Sequence, residues 1–264
     1  LHQYFNTCEM SGSTRSFEFC RRLANDGYDV HVLTTRRDVK RIGLSWSTTY
    51  ESGFTVHWLP VPYDNKLGFG RRVLAFLVFS VACSLRILKL RGTLCFATST
   101  PLTIAIPAMV ARLVKGTPYI FEVRDLWPEV PVAMGVIRNT GLKWCAMTLA
   151  RLAYYFSDHV IALSPDMAAG IQRAAGSTPA QISVIPNSCD IELFTSFANE
   201  SLQPSITLGW EERIADGPIV LYPGTLGLVN DIEYIVEVAV HLAELRSDIR
   251  ILLVGDGLGK QKAL

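Results

Sequence analysis

The residues best suited to chemistry in this chain lie in the stretch Glu122–Glu129, which reads Glu-Val-Arg-Asp-Leu-Trp-Pro-Glu. Arg124 and Asp125 directly follow a run of apolar residues that predicts a strand. Open α/β sheets bind ligands at the carboxyl ends of their strands. The pattern therefore favours a ligand site at Arg124 and Asp125. The alternative is a local Arg–Asp or Arg–Glu ion pair that only shapes the loop.

Three turns of small residues also follow predicted strands. Ser11-Gly12 precedes the first helix, whose free N–H groups would attract phosphate, although an ordinary capped turn would also explain it. The turns Gly224–Gly227 and Gly255–Gly257, the second with Asp256 at its centre, would let a ligand approach the backbone closely. Ser99, just before Thr100-Pro101, is predicted to cap a helix.

Composition and missing motifs exclude several classes of protein. The six cysteines include no Cys-x-x-Cys pair, which disfavours a disulfide framework or a zinc site and favours a reduced, cytosolic compartment. Asp-x-Asp, the usual carboxylate pair for a metal–nucleotide complex, is missing. The Gly-x-Ser-x-Gly and Gly-x-x-x-x-Gly-Lys-Ser/Thr motifs are missing too. We therefore expect no metal ion, no resident cofactor and no nucleic-acid partner.

The charges are shared unevenly along the chain, although the net charge is only +1. Eight basic residues and no acidic residue lie between Asp64 and Glu122, which indicates an anionic partner. The predicted helix 69–90 contains 13 uncharged residues, 73–85, too few to cross a bilayer. It is either a buried crossover helix or a helix that docks on an anionic membrane through Arg71, Arg72 and Lys89.

Alternating short apolar runs and longer amphipathic runs predict parallel sheets with crossover helices. A polar stretch then predicts a linker between two domains, whose cleft would be the ligand site. The predicted strands are 2–5, 28–34, 54–60, 94–98, 118–123, 158–163, 182–185, 219–222 and 249–254. The predicted helices are 13–25, 69–90, 101–114, 139–156, 165–174 and 230–245.

Several of these motifs, in this order, resemble the family-4 glycosyltransferases over essentially the whole chain. They are Ser11-Gly12-Ser13, Gly27-Tyr28-Asp29-Val30, Arg124-Asp125-Leu126-Trp127-Pro128-Glu129, Ile185-Pro186-Asn187 and Val254-Gly255-Asp256-Gly257. The Arg-Asp-Leu-Trp-Pro-Glu version is similar to a bacterial subgroup. That subgroup builds lipopolysaccharide O-antigen, capsule or colanic acid, and it includes aminosugar transferases.

The resemblance implies an α/β GT-B fold with two Rossmann-like domains and parallel sheets. Residues 1–190 would form the acceptor-side domain and 191–217 the linker. Residues 218–264 would begin a donor domain that is incomplete. The resemblance also implies a retaining, metal-independent transfer, in which the departing diphosphate helps to deprotonate the incoming hydroxyl while the protein orients the reactants and stabilises the leaving-group charge.

The resemblance also assigns roles to residues. Asp125 or Arg124 would lie near the reacting sugar, and Ser99 and Glu129 on the acceptor side. Ser11 and Gly12 would border the diphosphate, and the two glycine turns would line the donor nucleotide. Many relatives carry an arginine and a lysine as a diphosphate clamp where this chain has Thr225 and Asn230. The donor-binding residues are therefore expected to be Ser11, Gly12, Gly224, Thr225, Asn230, Gly255, Asp256 and Gly257.

We therefore predict a hexosyl- or N-acetylaminosugar transferase of polysaccharide biosynthesis that uses a nucleotide sugar, expected to be UDP-linked. Its acceptor would be a lipid-linked saccharide, and it would be peripheral on the cytoplasmic face of the cell membrane. The alternatives are a nucleotide-sugar epimerase of the same fold and an inactive fragment that binds only nucleotide or lipid. The chain also reads as truncated at both ends, with the family's paired glutamates expected beyond Leu264, so these residues alone are predicted to be inactive.

Overall fold

The computed structural model describes residues 1–10, 12–64, 67–176, 181–189, 191, 195, 217–227, 230–257 and 259–263. The chain divides into two compact units, Leu1–Ser188 and Cys189–Leu264. The predicted linker, 191–217, lies almost entirely outside the described residues, as does Ser11.

The first unit alternates strands and helices, as the hydrophobic pattern predicts. Its strands are β1 (His31–Arg36), β2 (Ser47–Glu51), β3 (Phe54–Pro60), β4 (Cys95–Thr98), β5 (Tyr119–Val123), β6 (His159–Ala162) and β7 (Ile182–Val184). Its helices are α1 (Arg15–Asn25), α2 (Phe69–Lys89), α3 (Ala105–Lys115), α4 (Glu129–Ala133), α5 (Thr140–Phe156) and α6 (Pro165–Ala175), with a 3₁₀ turn at Leu102–Ile104. The sequence pattern did not predict β2 and α4.

The strands form two sheets, in the orders β2-β3-β1 and β4-β5-β6-β7, and all neighbours are parallel except β2 and β3. The predicted strand 2–5 is not a regular strand. However, its backbone joins the two sheets: His2 N–H donates to Leu33 and Thr35 N–H donates to Gln3, both at 3.2 Å. On the other side, Thr98 N–H donates to Leu1 at 3.0 Å. The carboxyl ends of β1, β4 and β5 thus come close to the start of the chain.

Two hydrophobic clusters cover opposite faces of the first sheet. Val32 and Leu33 are neighbours in β1, and they belong to different clusters because successive strand side chains point to opposite faces. One cluster packs Phe17 of α1 against Phe5 and Phe54, whose rings meet edge to face with centroids 6.1 Å apart. This packing places the N-terminus of α1 beside the carboxyl ends of the central strands.

Helix α2 has one buried face and one exposed apolar face. Ala75, Phe79 and Cys83 are buried, as a crossover helix requires. The opposite face exposes Leu74, Leu77, Val81 and Leu85. No helix in the described part of the chain has both the length and the apolarity to cross a bilayer.

The second unit contains β8 (Ile219–Pro223), α7 (Ile232–Leu245), β9 (Arg250–Val254) and α8 (Lys260–Ala263). The two strands pair in parallel, with Tyr222 opposite Leu253. This strand–helix–strand unit is what the sequence predicts over 219–254.

Candidate functional site

The loops after β4 and β5 are tied together at the carboxyl edge of the sheet. Ser99 is 1% exposed, and its hydroxyl accepts a hydrogen bond of 2.9 Å from the backbone N–H of Arg124. The N–H of Ser99 in turn donates to the carbonyl of Glu122, also at 2.9 Å. The prediction that Ser99 caps a helix is therefore wrong: its side chain fixes the backbone of Arg124 instead.

The same pair of loops positions Asp125. The hydroxyl of Thr100 donates to Asp125 Oδ2 at 2.6 Å, and the Asp125 side chain is otherwise exposed. The Asp125 carboxylate is thus held through Oδ2, and Oδ1 makes no hydrogen bond within the described part of the chain, which leaves it open to a ligand. Two neighbouring residues, Ser99 and Thr100, therefore position the two predicted catalytic residues.

Arg124 contacts a histidine rather than a carboxylate. Its Nη1 lies 3.4 Å from His2 Nε2, and among the described residues it forms no ion pair. Burial lowers the pKa of His2 well below its usual value, and the positive charge of Arg124 lowers it further. A neutral His2 can accept from the guanidinium of Arg124, which keeps its full positive charge available to an anion. The alternative reading, a local ion pair of Arg124 that only shapes the loop, is thus not found among the described residues.

The ion pair at this edge is a different one, between Arg15 at the start of α1 and Glu122 in β5. Arg15 Nη2 and Nε donate to Glu122 Oε1 at 2.8 and 3.1 Å, and Thr98 donates to Oε2 at 2.5 Å. The side chains of Arg15 and Glu122 are 9% and 1% exposed. Arg15 also donates to the carbonyl of Pro186 at 3.2 Å. Sequence reasoning missed this pair. The only signal for it was a glutamate inside an apolar strand, which must be paired when buried.

The turn before α1 is built around Gly12 and Asn6. Gly12 has φ +129°, and a Cβ on it would lie 2.6 Å from Asn6 Nδ2. That amide donates to the carbonyl of Ser13 at 3.3 Å, while Arg37 donates to Asn6 Oδ1. The N-cap residue of α1 makes no side-chain capping bond. The N–H of Arg15 donates to Ser13 Oγ at 3.4 Å, which leaves the following N–H groups of the first turn of α1 for an anionic ligand.

Glu129 makes no polar contact with Arg124 or Asp125 at the carboxyl edge of the sheet. It starts α4 and lines a pocket of about 210 Å³ together with Trp127, Arg151 and Arg173. It makes no hydrogen bond or ion pair to Arg124 or Asp125 in the described structure. The structure thus brings together Ser99, Arg124 and Asp125, while Glu129 belongs to the neighbouring pocket.

In the second unit the two predicted glycine turns touch each other. Gly224 N–H donates to Val254 at 2.9 Å, and Leu226 N–H donates to Asp256 at 3.0 Å. A Cβ on Gly255 would lie 1.7 Å from the carbonyl oxygen of Gly224. Only glycine permits this approach, which presents two strand-end turns as one surface.

Asn230 supports this surface rather than extending from it. Its side-chain amide donates to the Tyr222 hydroxyl at 2.8 Å and to the carbonyl of Thr225 at 2.6 Å. Both N–H groups are therefore used within the turn, and neither is left for a diphosphate. In this structure Asn230 thus shapes the turn that contains Thr225, and its contribution to phosphate binding stays a prediction.

The three predicted membrane contacts differ in orientation. Arg71 and Lys89 are exposed, at opposite ends of α2. Arg72 is half-buried, and its Nε is buried without a hydrogen-bond partner among the described residues. Its positive charge lowers the pKa of Tyr4, although burial, the larger effect, raises that pKa overall. Arg72 is therefore partly turned toward the protein interior.

A family model described as a glycosyl transferase 4-like domain matches residues 12–188. No curated protein sequence matches the chain. Within the described residues, no group of three His, Cys, Asp or Glu side chains could hold a metal ion.

Solved structures share the fold over nearly the whole chain. An Escherichia coli structure described as trehalose-6-phosphate bound with UDP-2-fluoro glucose has a TM-score of 0.70 at 8% identity, covering 97% of this chain and 64% of that one. A sucrose-phosphate synthase from Thermosynechococcus elongatus has a TM-score of 0.58 at 15% identity, and the match covers 96% of this chain and 58% of that one. A UDP-forming α,α-trehalose-phosphate synthase from Burkholderia vietnamiensis has a TM-score of 0.65 at 9% identity, and the match covers 99% of this chain and 64% of that one. The chain thus spans less than two thirds of these proteins, and the likeness confirms the predicted α/β GT-B architecture.

Proposed function

Because the chain belongs to the family of glycosyl transferase 4-like domains, we propose that it transfers a sugar from a nucleotide-diphosphate sugar to a lipid-linked saccharide. One observation carries the proposal. Ser99 and Thr100 hold Arg124 and Asp125 at the carboxyl edge of a parallel sheet. The N-terminus of α1, where the N-cap residue Thr14 makes no side-chain capping bond, is tied to β5 of the same sheet through Arg15. Cations, N–H groups and one carboxylate at a strand edge are suited to a phosphorylated sugar and its acceptor.

The donor is proposed to be UDP-linked and to lie against the second unit. Two of the structures with this fold are described with UDP-2-fluoro glucose and as UDP-forming. The joined turns at Gly224 and Gly255 bring the backbones of two strand ends together, and we propose that the nucleotide lies against this backbone.

The proposed roles at the first unit follow from charge and access. The open Oδ1 of Asp125 accepts a hydrogen bond from the hydroxyl of the incoming saccharide and thereby orients that hydroxyl. The guanidinium of Arg124, which contacts the neutral His2, stabilises the negative charge that develops on the leaving diphosphate. The transfer is proposed to be retaining and independent of a metal ion, as in the family that the motifs resemble.

The lipid-linked acceptor is proposed because of α2. Its exposed face carries Leu74, Val81 and Leu85, with the cations Arg71 and Lys89 at its two ends. An apolar face with flanking cations binds anionic membrane surfaces. The protein is therefore proposed to work as a peripheral enzyme on the cytoplasmic face of a membrane, in bacterial surface-polysaccharide synthesis.

The test uses the full product of the gene, UDP-sugars labelled in the sugar, and membranes that contain lipid-linked saccharides. We expect label to move into the lipid fraction only when membranes are present. Asp125→Asn should slow this transfer about 100-fold or more, while the affinity for UDP stays unchanged in calorimetry.

Conversion of the donor without membranes would instead identify an epimerase of the same fold. UDP binding without any turnover would favour the binding-only alternative. Transfer that continues unchanged in Asp125→Asn would refute the role given to that carboxylate.

A further inference from the structure

An elongated apolar groove of about 520 Å³ lies between α2 and the loop that precedes β2. Leu77, Val81 and Leu85 line one side of it, four residues apart and therefore on one helix face. Leu44 and Trp46 line the other side. Leu44 is 75% exposed and Val81 and Leu85 are each 61% exposed, so these side chains present a continuous apolar surface to the outside.

Two cations close one end of the groove. Arg86 lies 5.9 Å from the ring centroid of Trp46, and its Nη2 contacts His57 Nδ1 at 3.2 Å. Its Nε is buried without a hydrogen-bond partner among the described residues. Lys89, one turn further along α2, is exposed. The groove therefore has an aliphatic body and a positively charged end.

We propose that this groove takes up one acyl chain of an anionic phospholipid from the bilayer, with the lipid phosphate at Arg86 and Lys89. The inference rests on the membrane contact in the proposed function and adds a defined site for a single lipid. The chain fits the aliphatic walls, and the phosphate fits the two cations. An indole ring such as that of Trp46 is preferred at the boundary between lipid and water.

Other occupants fit the groove less well. A peptide would bury backbone N–H and C=O groups against aliphatic walls that offer them no partner, at a large cost in free energy. A second copy that docked through its own α2 would bring no carboxylate to pair with Arg86 and Lys89, because α2 contains no acidic residue. A lipid brings neither problem.

Tryptophan fluorescence tests the site directly. The protein is mixed with vesicles of phosphatidylcholine and phosphatidylglycerol whose acyl chains carry bromine at mid-chain, since bromine quenches only a tryptophan that it contacts. We expect brominated vesicles to quench the native protein more than unbrominated vesicles do. This difference should disappear in Trp46→Phe, with vesicle co-sedimentation retained.

A matched pair of substitutions tests the groove itself. Val81→Glu places a carboxylate in the groove and should weaken vesicle binding about tenfold and abolish the quenching. Val114→Glu alters an equally exposed valine, 67% exposed, on the neighbouring helix α3, outside the groove, and should change neither. Both sites are exposed, so both variants should keep the native circular dichroism spectrum and melting temperature.

The outcomes separate the groove from the proposed function. Quenching that persists in Trp46→Phe, or an equal loss in Val114→Glu, overturns the groove. Co-sedimentation without any bromine quenching also overturns it but leaves the membrane contact standing. No co-sedimentation at all overturns both. Trp46-dependent quenching by a protein that transfers no sugar supports the groove and refutes the enzyme.

Discussion

Replacing Arg15 by methionine removes the guanidinium that pairs with Glu122 and keeps most of the aliphatic stem. Glu122 is 1% exposed, so the carboxylate left behind cannot be rehydrated without opening the sheet. Its other oxygen keeps one hydrogen bond, from Thr98 at 2.5 Å. The substitution therefore creates a buried charge with one neutral donor.

The expected loss can be worked out from these contacts. Breaking a buried ion pair by removing one partner costs about 3–5 kcal/mol. Because the bond from Thr98 still stabilises the carboxylate after the substitution, we take the lower end of this range and expect Arg15→Met to lower the free energy of unfolding by about 3 kcal/mol. That is a large part of the total, because single domains are stable by only about 5–15 kcal/mol.

The assay is urea unfolding followed by circular dichroism, with Arg112→Met as the matched control. Arg112 pairs with Asp158 at 3.0 Å, but both side chains are 38% exposed, so its removal should cost about 1 kcal/mol or less. Adding Glu122→Gln to Arg15→Met should recover part of the loss, because it removes the unpaired charge. The reasoning is refuted if Arg15→Met costs no more than Arg112→Met, or if Glu122→Gln makes the loss larger.

Three further predictions concern the loops and the core. Ser99→Ala should lower the free energy of unfolding in urea by about 1–2 kcal/mol because it leaves the N–H of Arg124 unpaired. It should also lower transfer activity without weakening UDP binding. An equal loss of transfer activity and UDP affinity would contradict the role given to Ser99. Gly255→Ala forces a Cβ to within 1.7 Å of a carbonyl oxygen and should weaken UDP binding about tenfold or more in calorimetry, whereas Gly70→Ala, with nothing within 4 Å, should leave it unchanged. Burial, aided by the nearby charges of Arg86 and His31, lowers the pKa of His57 from 6.5 to about 4. Between these pH values the unfolded chain binds more protons than the folded one, so stability should fall as the pH is lowered through that window. His57→Asn should therefore show a smaller fall in melting temperature between pH 7 and pH 5, and an unchanged fall would contradict this origin.

The sequence predicted most of the first unit because local patterns determine its elements. The strand Phe54–Pro60 and the helix Phe69–Lys89 have strong apolar periodicity and clear ends, and both lie where the pattern places them. The strand Ser47–Glu51 was missed because it is short, polar and largely exposed. It exists because it pairs with β3, a tertiary interaction that a propensity does not contain.

The candidate site was predicted in part for the same reason. Arg124 and Asp125 stand out because charged residues directly follow an apolar strand. Their supports do not stand out: Arg15 pairs with a residue 107 positions away, and nothing in a single sequence links the two. Ser99 was assigned to a helix cap by its local context, but a bond across to the next strand determined its role.

The short segment at Leu1–Gln3 has a consequence for folding. It is the seam between two half-sheets, 31–60 and 95–184, each of which pairs strands that are near in sequence. The seam needs contacts across about 30 to 100 residues, so its closure adds to the contact order of the unit. We therefore expect the half-sheets to form before they join. In native-state hydrogen exchange the amides of Thr35 and Thr98, which both donate to the seam, should open together and before those at the centre of β5.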